Sequence, residues 1–193
     1  MAMRSAVLSI MACLMGSAAL AASADATSGD DSAGSWQPHE YQFHYMGFTS
    51  TYSCDGLADK LTLLLHLAGA GPGSKAIPLC ARGFGVPDRL AEARVKFSTF
   101  KSSDAGAAAA AGAVAGAWRH VEFSPRHPFD LQTGDCELIE QFHQHLLPLF
   151  DTRNVQSQIA CVPHQESGSH YSLSFDVFVP APKPAAAAAA KGA

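Results

Sequence analysis

Past its first two dozen residues the sequence has no apolar run that could cross a bilayer, which takes about 20 residues. A helical membrane span in the body of the chain is thereby excluded. Basic clusters are missing as well. The first 24 residues hold one of the 13 basic residues and none of the 17 acidic ones. The remainder has 12 basic residues against 17 acidic, a net charge of −5 with neutral histidines. A mildly acidic chain is a poor match for phosphate backbones and for anionic membrane surfaces, so nucleic acid is excluded as a main partner. No two cysteines stand close together. Without a C-x-x-C pair there is neither a thioredoxin-like redox centre nor the usual ligand pattern of a zinc module. The G-x-S-x-G elbow of serine hydrolases is also absent. The stretch Gly69-Ala70-Gly71-Pro72-Gly73 follows a helical pattern, whereas a phosphate-binding loop places its glycines before a helix.

What the sequence does contain begins at its N-terminus. Met1-Ala2-Met3-Arg4 precedes an apolar run from Ser5 to Leu20, and small residues follow at Ala19-Leu20-Ala21 and Ala22-Ser23-Ala24. One cation, an apolar segment too short to span and a small-x-small site make residues 1–24 a cleaved secretory signal peptide. Cys13 lies inside the apolar run, so Ile10-Met11-Ala12-Cys13 is rejected as a lipoprotein site. Export leaves about 170 residues, enough for one domain with a proper core. The expected destination is the periplasm or the exterior.

Four cysteines remain after cleavage, Cys54, Cys80, Cys136 and Cys161, and in an oxidising compartment they form a disulfide framework. Their surroundings match in pairs. Cys54-Asp55-Gly56-Leu57 leads to Leu64-Leu65, and Cys136-Glu137-Leu138-Ile139 leads to Leu146-Leu147. The next cysteine comes 26 residues on in the first stretch and 25 in the second. A strand-like sextet then follows in each, Val95 to Phe100 and Leu173 to Phe178. Order, spacing and residue type together predict a tandem duplication.

Each copy reads as strand, helix, strand, strand. In the first, Tyr41 to Phe48 alternates as a strand. Leu57, Leu61, Leu64, Leu65 and Ala68 share one helical face, with Ser53 or Asp55 as cap and Gly69 or Gly71 as stop. Ala76 to Cys80 is a second strand, which Pro78 places at an edge, and Arg94 to Phe100 is a third. In the second copy the strands are Arg119–Phe123, Val155–Cys161 and Tyr171–Val179. Its helix is lined by Ile139, Phe142, Leu146 and Leu149, capped by Asp135 and stopped near Leu147 by Pro148. Ser167-Gly168-Ser169 reads as a hairpin loop. A parallel return after each helix brings the helix start beside the end of the next strand. That geometry favours Cys54–Cys80 and Cys136–Cys161 over bridges between copies. Each would contribute about 3–4 kcal/mol. The domain map is then residues 25–38 flexible, 39–100 the first repeat, 101–116 an Ala/Gly linker, 117–179 the second repeat and 180–193 a disordered Pro/Ala tail. The expected fold is α+β, with ferredoxin-like layering. Two helices pack on one antiparallel or mixed sheet, held by two disulfides.

The nine histidines raise the question of a metal. His143 and His145 are two apart on a helix and point to different sides, whereas a shared metal needs a spacing of three or four. His66 is alone on the first helix, and His39, His44, His120, His127, His164 and His170 fall in strands or loops. Asp55, Asp59, Glu137 and Glu140 are the carboxylate candidates. Charge at a helix start is accounted for by the helix dipole, at about 0.3–1 kcal/mol. Tyr41, Phe43, Tyr45 and Phe48 form an aromatic stripe that is either core or groove. No residue is therefore assigned a catalytic, cofactor-binding or metal role. The expectation is a non-enzymatic envelope or secreted protein binding a protein or small-molecule partner through its sheet or the seam between copies. Two alternatives stand beside it, a periplasmic histidine-based metal-binding protein and an enzyme with a dispersed active site.

Overall fold

The structure, a computed structural model, describes residues 33–79, 86–87, 89–103 and 114–182. Its elements are β1 (Ala33–His44), α1 (Cys54–Leu67), β2 (Lys75–Pro78), β3 (Glu92–Ser102), β4 (Val114–Phe123), α2 (Cys136–His145), β5 (Thr152–Val162) and β6 (Gln165–Pro180). The fold is α+β, with six strands in one sheet in the order β2-β3-β1-β4-β6-β5. Every pairing is antiparallel, which removes the mixed-sheet option. In each half the last strand lies between the first two. β1 and β2 thus run parallel without touching, as do β4 and β5. The parallel return expected from the sequence exists, but a third strand fills the gap.

α1 forms where the sequence places it. Ser53 accepts a hydrogen bond from the Gly56 amide at 3.1 Å, capping the N-terminus. Gly69, at φ 90°, ends the helix: its amide bonds His66 O and that of Ala70 bonds Leu65 O, the paired pattern of a Schellman stop. Leu57, Leu61, Leu64, Leu65 and Ala68 are all buried. α2 buries Leu138, Ile139 and Phe142. It ends at His145, and Pro148 sits in a short 3-10 turn beyond it, as the missing amide donor of proline requires. Phe43, Val95, Phe123, Leu173 and Phe175 rise from the helix-side face of the sheet into the same core. The opposite face carries charge, with Glu40 beside Arg94 and Lys96, and Asp176 beside His120 and Arg153.

Among the described residues two backbone pairs, Ala33–Ala115 and Gly34–Val114, join β1 to β4 and so the two halves. Beside that seam the rings of Phe100 and Phe178 stack with centroids 5.4 Å apart, edged by Trp36 and Trp118. Both Phe rings are buried, and each lies against a glycine. A Cβ on Gly34 would come within 2.5 Å of Phe100, and one on Gly116 would overlap the Phe178 ring. Gly34-Ser35-Trp36 and Gly116-Ala117-Trp118 stand 82 residues apart, the same offset as Cys54 and Cys136.

Several sequence expectations need correction. Residues 33–38 belong to β1 instead of a flexible lead, because Trp36 packs against Phe100 in the pairing strand. Lys101 and Ser102 extend β3, and Val114–Gly116 begin β4, so the linker is shorter at both ends. Ser167-Gly168-Ser169 is part of β6. The turn lies at Pro163-His164, where His164 takes φ 64° and Val162 pairs with Gln165. Asp135 stands at the N-cap position of α2, as expected, but its side chain makes no capping bond there. The chain enters that helix through a 3-10 turn, and its carboxylate faces back to accept from the Gln132 amide at 2.7 Å. Cys136 and Cys161 are bonded, with Cα atoms 5.7 Å apart. The expected Cys54–Cys80 bridge involves Cys80, which lies outside the described residues, as do residues 1–24, expected as a signal peptide, and residues 183–193.

Candidate binding groove

After β1 the chain forms a loop, residues 45–53, that the second half of the molecule holds in place. The side-chain amide of Gln141 on α2 treats Met46 as a strand neighbour. It accepts from the Met46 amide at 3.0 Å and donates to the Met46 carbonyl at 2.9 Å. One turn earlier on the helix, Glu137 accepts from the amides of Phe48 at 3.0 Å and Thr49 at 3.1 Å, and from the Tyr45 hydroxyl at 3.3 Å. The Thr49 hydroxyl donates to Val162 O and accepts from the His164 amide, each at 3.0 Å, which ties the loop to the β5–β6 turn. The loop is thus braced from α2 and from the turn. Charge-assisted bonds to backbone amides are the stronger class of hydrogen bond, and Glu137 is itself buried.

This bracing sets two apolar side chains in solvent. Met46 is 54% exposed and Phe48 50%. They border a cavity of about 460 Å³ whose other walls include His44, Glu140, His145 and Cys161 of the disulfide. Phe48 meets His164 edge-on, with ring centroids 6.5 Å apart. His145 stacks on Tyr41 at 6.3 Å. The groove therefore combines two apolar anchors, two imidazoles and two carboxylates, Glu140 and the buried Glu137, at the junction of the halves.

On the other side of the loop lies a polar cavity of about 490 Å³, lined by Ser50, Tyr52, Lys60, Asp135 and Glu166. Asp135 is buried, pairs with Lys60 Nζ at 2.8 Å and accepts from the Tyr52 hydroxyl. Burial first, and then the nearby Asp135 charge, raise the Tyr52 phenol far above its ordinary range. Tyr45 and Tyr171 are raised in the same direction, by burial and then by Glu137 and Asp135 respectively. These phenols are fixed donors: Tyr45 bonds Ser50 O and Glu137, and Tyr171 bonds Gln132 O.

The remaining candidates are dispersed. His39 shares a hydrogen bond with the Thr99 hydroxyl at 2.8 Å, and burial, with Lys101 nearby, lowers its pKa. His44 faces Glu92 at 3.2 Å, His66 bonds Ser74 O at 2.9 Å, and His120 bonds Asp176 at 3.0 Å. Hydrogen bonds from Asn154 and His120 hold Asp176 below the usual carboxylate range. His127, His143 and His170 join no cluster with these. Among the described residues no three His, Cys, Asp or Glu side chains gather closely enough to hold a metal ion. Of the four acids singled out in the sequence, Glu137 is a buried brace and Glu140 a wall of the groove. Asp55 and Asp59 remain on α1. In the aromatic stripe, Phe43 and Tyr45 are core, Tyr41 is half-buried and Phe48 is outside.

Sequence reasoning missed Met46, Gln141 and the Lys60–Asp135 pair. Met46-Gly47-Phe48 carried a visible signal, an apolar pair around a glycine where the strand alternation stops. The chain matches no protein-family model, and no curated protein or solved structure is significantly similar to it.

Proposed function

We propose that this chain is an exported, disulfide-stabilised protein of the bacterial cell envelope that binds a partner without transforming it. The groove at the junction of its halves is the binding site. One observation carries the reading: Met46 and Phe48 stand half in solvent on a loop whose backbone is immobilised by Glu137 and Gln141. Exposed apolar groups on a pre-ordered loop bind at small entropic cost, and aromatic anchors of this kind dominate interface energetics. The signal-like N-terminus and the Cys136–Cys161 bond support export. The matched order of elements in the halves, with the Gly-x-Trp repeat, supports a duplicated β-α-β-β unit whose junction forms the groove.

The test is site-specific photocrosslinking in cells. A photoreactive residue at Met46 or Phe48 is expected to give one discrete adduct. The same group at Gln42, on the polar sheet face, is expected to give none. Equal labelling from all three positions, or no adduct at 46 and 48, removes the groove as the binding site.

A further inference from the structure

The sheet ends in two unequal edges. β2 is four residues long and closes with Pro78, whereas β5 runs for eleven. Arg153 to Gln158 are all exposed, so this part of β5 is bare on both faces as well as along its outer edge. Arg153 and Gln156 to Ala160 pair with β6, and among the described residues no backbone group outside β6 bonds residues 153–161. Alternate residues of such a strand present unpaired N–H and C=O groups outward.

Natural edges are guarded by lysine, proline, bulges or inward charge. β5 uses bulges alone. Irregularities between Arg153 and Gln156 and between Ala160 and Val162 bracket five regularly paired residues, and Asn154 at φ 53° lies in the first. Asn154 to Val162 contain no charge and no proline. The nearest cation, Arg153, is engaged with Asp176 and lies over the Trp118 ring at 4.3 Å.

The strand is also complementary to itself. Val155-Gln156-Ser157-Gln158-Ile159 has the same pattern of residue types in both directions about Ser157. The geometry points to a two-fold dimer in which β5 pairs antiparallel with β5 of a second copy, joining two six-stranded sheets into one. A two-fold axis at Ser157 sets Gln156 opposite the second copy's Gln158, and Val155 opposite its Ile159. The amides match, the apolar residues cover each other, and no charge faces its like. Val155, now 43% exposed, gains an apolar neighbour. Such a self-complementary patch closes at two copies, so it ends in a dimer and not a fibre.

The test is sedimentation of the purified protein, expressed from the full-length chain, across about a hundredfold range of concentration. The wild type is expected to pass from monomer to dimer. The double variant Gln156→Lys with Gln158→Lys places lysine opposite lysine in both symmetric contacts. It is expected to weaken the dimer by at least about tenfold, with the thermal midpoint unchanged at concentrations where both proteins are monomeric, because both side chains are exposed. Gln156→Glu with Gln158→Glu should do the same, and mixing the lysine and glutamate proteins should restore a dimer. A wild type that stays monomeric overturns the proposal. So does a lysine variant that dimerises like the wild type, or a mixture that stays monomeric.

Discussion

Replacing Glu137 with alanine strips the acceptor from two loop amides whose partners lie 89 and 88 residues away in sequence. A hydrogen bond to a charged group contributes about 1.5–3 kcal/mol, so the two amide bonds together account for about 3–6 kcal/mol, while the Tyr45 hydroxyl, which also loses Glu137, keeps its bond to Ser50 O. Phe48 is half exposed and Thr49 is not buried, so water reaches the freed amides and offsets part of that loss. The expected destabilisation is about 2–4 kcal/mol, read from the urea midpoint at constant slope. Glu137→Gln keeps the shape but turns one acceptor into a donor, and should fall between wild type and alanine. The effect is also local. Amide exchange at Phe48 and Thr49 should speed up by about thirty- to a thousandfold, since each 1.4 kcal/mol is worth tenfold. Unchanged exchange at these two amides, or an unfolding midpoint equal to the wild type's, would refute the view that this carboxylate holds the loop.

Gly116→Ala forces a methyl group into the Phe178 ring and should cost about 1–3 kcal/mol of overpacking, measured by thermal unfolding, with Gly34→Ala behaving alike through Phe100. Cys136→Ser with Cys161→Ser opens a closure of 25 residues and should cost about 3–4 kcal/mol in urea, with β5 and α2 losing exchange protection first. Tyr45, Tyr52 and Tyr171 are held protonated in the fold, while in the unfolded chain they titrate near pH 10. The fold binds these protons more tightly, so their contribution is fully present below pH 10 and is lost as pH rises above it. Ultraviolet titration should show their phenolates appearing together with unfolding. Phenolate formation from all three in the folded protein contradicts their burial.

Local patterns in the sequence were enough to define the helices. The leucines of α1 repeat at helical spacing in a segment whose own period reveals its buried face, with Ser53 or Asp55 as cap and Gly69 or Gly71 as stop, and the structure chose Ser53 and Gly69. Pro78 likewise marked β2 as an edge, because a strand without an amide donor cannot sit inside a ladder. Cysteine spacing led to the Cys136–Cys161 bond, since matched intervals limit which ends can meet. Strand limits were poorer. Trp36 and Val114 become strand only because Phe100 and the β1–β4 seam are there to receive them, and no local period records that.

The groove belongs wholly to tertiary structure. Glu137 looked like a helix-dipole acid, and in its own segment nothing distinguishes it from Asp55. Its partners at Phe48 and Thr49 are supplied by a distant loop. The exposure of Met46 and Phe48 has the same origin, for hydrophobic residues are inside or outside according to what the rest of the chain places over them. Periodicity and capping are short-range interactions, and a sequence states them directly. Long-range contacts depend on which strands become neighbours, and here the order β2-β3-β1-β4-β6-β5 decided which residues could meet.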